Sequence, residues 1–378
     1  MVTSKLMTNP LHIFRITSAE DLAALHGEWN ELCAGIPFRQ HEWLATWWRH
    51  YRQSRQDLFV LTLRDEGHCL VGLAPFYRTK TVLNGQVLRF LGSGEVASDY
   101  LTIMAAEGWQ TAVAERTARY LADEAPREWG LIELTGVDQA DQAVDEFTQH
   151  FAAAGKTIHR RSKLNCWRLS LPADWETYLQ GLSKSRRPHL RKIYRVLESG
   201  RAVCHEVRDA ADLERGMAIL IELHQRRRQS VGDPGCFASA RFTSFHQEVM
   251  ELLLARGQLR LRWIELDGKP IAVDYEIAGG RTVYFYQSGI DPARTAESPG
   301  WLSRAHSIKS AIEQGYTAFD FLRGDEPYKA SCRATPSPLM EIRIVNSQPV
   351  ARLRHAAWRA GVRAKQWRRA AAPAEIET

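Results

Sequence analysis

The stretch FDFLRGDEPYK, residues 319–329, sets an acid, Asp320, inside an apolar aromatic run. It then breaks at Arg323-Gly324 into two more acids, a proline, Tyr328 and Lys329. A strand that ends this way has two explanations. Asp320 could pair with Arg323 or Lys329 in a buried network that ties strand to loop, since buried charges need partners. Alternatively the cluster is a site, because clustered ionisable groups with shifted pKa values favour sites. Other chemistry-bearing residues lie upstream. Asp99-Tyr100 puts an acid and a phenol at a strand entrance after the loop LGSGEVASDY, where turn chemistry would also suit Asp99. His224 interrupts an apolar helix stripe (Leu220, Ile221, Leu223) and can titrate near neutral pH. Ser298-Pro299-Gly300-Trp301 opens a helix, and free amides at a helix start can hold a phosphate or simply be capped.

Composition limits the alternatives. The chain has 378 residues, 44% hydrophobic and 25% charged, enough for about two domains. No run approaches the ~18 uncharged apolar residues of a membrane span. The N-terminus lacks an apolar h-region, so no secretory signal is expected. Six scattered cysteines form no CxxC pair. They read as reduced thiols of a cytoplasmic protein, and no spacing supports a metal site. The net charge of +6 is concentrated in the tail, where Arg352, Arg354, Arg359, Arg363, Lys365, Arg368 and Arg369 outnumber Glu375 and Glu377. The basic pI therefore does not mark the whole chain as a nucleic-acid binder. The tail's apolar residues (Val350, Leu353, Trp358, Val362, Trp367) suit a helix packed on the body, or one lying on an anionic membrane or a partner protein. The segment 183–195 carries six basic residues and no acid. It could track phosphates or be a solvated helix face.

The elements that must position these residues follow from periodicity. The first half reads as a strand at 12–16, a helix at 19–32 and a Trp-rich helix around HEWLATWWRHY. Hairpin strands 58–64 and 69–78, a strand QVLRFLG, a strand YLTIM, a helix at 109–122, the strand LIELTG and a helix at 138–154 follow. The second half has helices at 175–179, 183–200, 209–228 and 239–255, with a strand AVCHEVR. It continues with the hairpin LRLRWIELDG/KPIAVDYEIAG, the strand TVYFYQSGI, a helix from 299 to about 314 and the strand TAFDFLRG. The halves repeat one order: hairpin, third strand, loop, helix, strand. Glu133 occupies the place of Asp320, and Gly136 lies near that of Gly324. The expected division is 1–165, 166–345 and a basic helical tail, 346–378. The fold class is mixed α/β (α+β).

Nine ordered stretches across residues 37–330 resemble one family. They include LVGLAPFYR, FLGSGEVASDYL, LSKSRRPHLRK, LHQRRRQSVGDPGCF, VYFYQSGIDP, SPGWL and FDFLRGDEPYK. The chain resembles the BioF2-like (CelD/BcsL-type) acetyltransferases of the GNAT superfamily, which are related to Fem-type aminoacyl transferases. The resemblance implies tandem GNAT-like domains with mixed central sheets. It implies acetyl-CoA or another acyl-CoA as co-substrate, lying between TVYFYQSGI and TAFDFL with its pyrophosphate at Ser298, Pro299, Gly300, Trp301 and Leu302. It also implies direct transfer to a sugar- or amino-acid-derived acceptor, such as a glycan precursor, in exopolysaccharide, cellulose or envelope synthesis. The setting would be the cytoplasm or the inner membrane face. On that reading Asp320, His224 and Asp99 are base candidates, and Tyr328 donates to the leaving group. Lys329 and Arg323 hold charge, Gly324 allows close approach, and Tyr100, Arg227 and Tyr286 meet the acceptor. Arg227 is followed by Arg228, where the family often has tryptophan. Two alternatives stay open. One is an aminoacyl-tRNA-dependent transferase using the basic 183–195 helix. The other is a non-catalytic scaffold of a polysaccharide machine, suggested by a degenerate phosphate loop.

Overall fold

The computed structural model describes residues 10–371, with backbone alone for Lys163 and residues 365–371. The first half runs β1 (His12–Ile16), α1 (Ala19–Ala24), α2 (His26–Glu31), α3 (His41–Tyr51), β2 (Gln56–Arg64), β3 (Leu70–Thr81), β4 (Gly85–Phe90), β5 (Met104–Ala105), α4 (Gln110–Arg119), β6 (Leu131–Asp138), α5 (Gln142–Ala153) and β7 (Thr157–Ser170). The second half runs α6 (Trp175–Gly181), α7 (Arg186–Glu198), β8 (Ala202–Glu206), α8 (Ala210–Gln229), α9 (Ala240–Ala255), β9 (Leu259–Leu266), β10 (Lys269–Gly279), β11 (Thr282–Ile290), α10 (Pro299–Glu313), β12 (Ala318–Arg323), α11 (Pro327–Ser331) and β13 (Thr335–Val345). A last helix, α12 (Pro349–Ala371), follows.

Local chemistry starts the helices as their sequences suggest. Asp209 caps α8 by accepting from the Asp212 amide, and Ser239 caps α9 by accepting from the Phe242 amide. Two expected elements are shorter. The helix at 19–32 is α1 and α2, with Leu25 between them, and the strand YLTIM shrinks to Met104–Ala105. On α12, Ala351 and His355 turn inward while Val350 and Leu353 stay 56% and 71% exposed. The apolar stripe expected there is thus partly solvated. Lys365, Trp367, Arg368, Arg369, Glu375 and Glu377 lie outside the described side chains.

One mixed sheet carries the molecule. Its order is β1-β2-β3-β4-β6-β13-β7-β12-β11-β10-β9-β8, with β5 added to β3. Read from either end, the order repeats: β1 matches β8, β2 matches β9, β3 matches β10, β4 matches β11 and β6 matches β12. The tandem arrangement is therefore built into the hydrogen bonding. The last strands are exchanged. β7, which ends the first half, pairs with β12 of the second, and β13, which ends the second, pairs with β6 of the first. β7 and β13 then pair with each other along their length. The expected boundary at residue 165 falls inside β7.

Two large apolar cores follow, with a small third cluster of Val87, Leu131, Val345 and Ala351 where α12 meets the sheet. One runs from the first half into α8, α9 and β10, and Trp43 stands edge-on to Phe245 at 5.1 Å and to Tyr286 at 5.4 Å within it. The other lies among α6, α7, α10 and β12. Edge-to-face aromatic pairs of this kind contribute about 0.5–1.5 kcal/mol each beyond their burial, so the halves are joined by packing as well as by the sheet.

Candidate active site

The site begins where two parallel strands part. β11 and β12 pair only through Thr282–Ala318, Val283–Phe319 and Tyr284–Asp320. β11 continues to Ile290 bonded only to β10, and β12 bulges between Asp320 and Arg323 against β7. A cavity of about 210 Å³ opens there, between β11 residues 285–288 and β12 residues 321–323. The same opening in the first half is filled. β4 and β6 pair only at Val87–Leu131 and Leu88–Ile132. Beyond them the chain's own loop takes the place, with the Leu101 amide donating to the Gly136 carbonyl at 3.1 Å. Gly136 has φ +73°, and a Cβ there would collide with the Ser98 carbonyl oxygen.

That loop also reaches across to the open site. The Asp99 carboxylate accepts from Arg323 Nε at 2.5 Å and from the Arg323 amide at 3.0 Å. Arg323 also donates to the Ser98 carbonyl at 2.8 Å. The Tyr100 hydroxyl donates to Asp320 Oδ2 at 2.6 Å. The other Asp320 oxygen accepts from the Leu322 amide at 2.8 Å. Burial pushes the Asp320 carboxyl up to about 6, against the lowering effect of those two hydrogen bonds. Leu322 is held at φ +55°, a strained value for leucine, and Gly324 at +118°. Lys329, 2% exposed, donates to the carbonyls of Leu322, Arg323 and Gly324 at 3.2, 2.9 and 3.0 Å, and pairs with Glu326 at 2.9 Å. This network explains why an apolar strand ends in so many charges. They hold a strained turn whose carbonyls would otherwise be buried without donors.

Five residues singled out from the sequence share the cavity wall: Asp99, Tyr286, Arg323, Tyr328 and Lys329. Asp320, Tyr100 and Gly324 adjoin it without lining it. Tyr286 donates to the Val96 carbonyl at 2.7 Å and meets His246 Nε2 at 3.1 Å, which fixes it between the halves. Burial drives the Tyr328 phenol well above its ordinary range, and the Arg304 guanidinium lies 3.9 Å over its ring. His224 is buried and does not line the wall. It reaches the wall through Cys236, whose sulfur is 3.6 Å from Nε2. Arg227 faces solvent, and Arg228 takes the place in the wall expected for it.

Residues 298–302 start α10. Ser298 sits at φ +51° without a side-chain cap. Its carbonyl accepts both the Trp301 and Leu302 amides, and Pro299 has no N–H. The Gly300 amide is therefore the unshared donor of this turn among the described residues. Two cations gather beside it. Arg186 lies 4.1 Å over the Trp301 ring and Arg304 5.8 Å from it. Arg304 Nε is buried without an acceptor, and the guanidinium has no carboxylate partner among the described residues. α10 is fixed from below, where Asp274 Oδ2 accepts from Ser303 and, at 3.1 Å, from Ser307. Arg262 closes that buried set by donating to Glu276 at 2.5 Å. Sequence reading missed Arg304, Cys236 and Arg228. The last two stand inside a stretch quoted above, but nothing in their spacing showed which way they face. Among the described residues, no group of His, Cys, Asp and Glu is placed to hold a metal ion. No helix there is long and apolar enough to cross a membrane.

A parted pair of parallel strands with a helix start beside it is the geometry of a GNAT-type domain, and residues 183–330 match the family model of the acetyltransferase (GNAT) domain. Over almost its whole length the chain shares the fold of FemX. The crystal structure of that protein superposes with a TM-score of 0.63 at 11% identity, over 90% of this chain and 99% of that one. Two further structures are similar. The C-terminal domain of a putative lysylphosphatidylglycerol synthetase from Agrobacterium fabrum has a TM-score of 0.54 at 10% identity, over 91% of this chain and 97% of that one. L-PGS from Bacillus licheniformis has a TM-score of 0.50 at 10% identity, over 91% and 96%. No curated protein matches the sequence.

Proposed function

We propose that the chain is an acyl-CoA-dependent N- or O-acyltransferase of the BioF2-like (CelD/BcsL-type) group, acting on a sugar- or amino-acid-derived acceptor in polysaccharide or envelope synthesis. The observation that carries this reading is the single open gap between β11 and β12, beside a helix start flanked by Arg186 and Arg304. A pantetheine arm can add to the free edge of β11 as an extra strand would. Its phosphates would meet the Gly300 amide, the positive end of α10 and the unpaired Arg304 guanidinium. The acceptor enters the cavity from the side of Arg228, Asp99 and Arg323. In this reading Asp320 and Lys329 position the strained turn, because their polar atoms are already committed to it.

Calorimetric titration with CoA and acetyl-CoA tests the reading. Saturable binding is expected. It should weaken by at least about tenfold (~1.4 kcal/mol) in Ser288→Tyr, whose ring would fill the cavity. Unaltered binding in that variant would place the donor elsewhere. A second reading, an aminoacyl-tRNA donor, draws on α7 and the turn before it, where Lys192 and Arg195 on the helix and Lys184 in the turn are exposed with no ion pair among the described residues. It gains if CoA does not bind and tRNA binds with a steep salt dependence.

A further inference from the structure

The part of the cavity wall formed by the 230–238 loop holds a nucleophile with its base. Cys236 lines the cavity, and its sulfur lies 3.6 Å from His224 Nε2. His224 Nδ1 is 3.1 Å from the Gln225 side-chain oxygen. That amide is oriented from its other end, because Gln225 Nε2 donates to the Pro234 carbonyl at 2.8 Å. The Gln225 oxygen therefore faces the imidazole and accepts from Nδ1–H. This fixes the tautomer, with the Nε2 lone pair towards the Cys236 thiol. The loop is shaped for the contact. Gly235, at φ +74°, leaves room for the Gln225 oxygen, with which a Cβ would collide. The Asp233 carboxylate accepts from the Gly235 amide at 2.7 Å, which holds the turn just before Cys236. Behind the imidazole, Gly289 lets β11 lie flush on α8, since a Cβ there would press on the His224 amide at 2.5 Å. Phe237 stands edge-on to the ring at 5.1 Å.

From this arrangement of nucleophile, base and orienting amide we infer that Cys236 is acylated during turnover, with His224 as its base and Gln225 as the group that positions His224. The inference rests on the acyl-CoA reading above and departs from the direct transfer that the family resemblance implies. In the first step the Cys236 thiol passes its proton to His224 Nε2, and its sulfur attacks the donor's thioester carbonyl. The carbon–sulfur bond to CoA breaks, and His224 returns the proton to the CoA thiolate. The exchange replaces one thioester by another, so no oxidant or further reactant is needed. In the second step an acceptor amine or hydroxyl attacks the Cys236 thioester, His224 takes its proton, and Cys236 leaves as the thiol. Burial pushes the Cys236 thiol up to about 12 and His224 below its ordinary value, so the resting pair is a neutral thiol beside a neutral imidazole, and the proton must pass to His224 as the sulfur attacks rather than beforehand.

The test is mass spectrometry of the full-length protein after incubation with acetyl-CoA and no acceptor. One acetyl group is expected on the Cys236 peptide, removable by hydroxylamine and absent in Cys236→Ala. Its formation should slow by about 10²–10⁴-fold in His224→Asn. Acetyl-CoA binding by calorimetry without any adduct, together with full turnover in Cys236→Ala, would overturn the proposal and leave the donor reading standing. If acetyl-CoA does not bind, the donor reading fails, and the dyad is judged by iodoacetamide labelling. Cys236 alkylation that falls at least about tenfold in His224→Asn supports a paired nucleophile. An unchanged rate overturns it.

Discussion

At the scale of single residues, Asp320 carries its charge at a cost that Tyr100 and the Leu322 amide offset only in part. Its carboxyl titrates near 6 in the folded chain, because burial outweighs both hydrogen bonds. The folded state therefore holds this proton more tightly than the unfolded chain. Between about pH 4 and 6 its contribution makes stability fall as pH rises, reaching on the order of 2–3 kcal/mol by neutral pH. Asp274, also raised to about 6 by burial, acts with the same sign. Asp320→Asn should thus lessen, without abolishing, the loss of Tm between pH 4 and 7. Thermal melts of both proteins across that range check it, and parallel profiles would mean that Asp320 ionises without penalty. The stretch FDFLRGDEPYK was legible because ionisable residues rarely follow a buried aromatic run. Cys236 was not legible. It stands twelve residues beyond His224, and only the turn at Gly235 brings the chain back against α8.

At the scale of elements, the loop from Gly92 to Leu101 links the two halves chemically. It seals the first half's gap against β6 and supplies Asp99 and Tyr100 to the second half's site. Gly136→Ala should displace it, both because φ +73° suits glycine and because the new methyl would meet the Ser98 carbonyl. A loss of about 1–3 kcal/mol in stability is expected, together with weaker donor binding, since Arg323 would lose its partners. Denaturant melts and the CoA titration of the same variant read both effects. A variant with normal stability and binding would show the loop to be dispensable. Most helices and hairpins were visible from periodicity, yet two central strands were not. β7, TIHRRSKLNCWRLS, is polar and half-exposed along most of its length. Its place in the sheet rests on backbone pairing, which leaves no hydrophobic alternation to read. β13 carries Pro336 and Pro338, which argue against a central strand.

At the scale of the whole molecule, the repeat in the sequence correctly suggested two related units, but periodicity cannot report that their last strands change places. With that exchange, β6 is paired on its β13 side only when the second half is present, and β12 on its β7 side only when the first is. Residues 1–171 alone should therefore lack a cooperative melting transition, whereas the halves expressed together should co-purify as one folded complex. Calorimetry and size-exclusion chromatography decide this, and a stable, monomeric first half would contradict it. The exchange also sets an order in time. A ribosome that has released the first half has made every strand of that unit except the one that completes its sheet, and β13 emerges only after nearly all of the remaining chain. Until then β6 presents a bare, buried-type edge, so the nascent chain is open to wrong pairing for most of its synthesis.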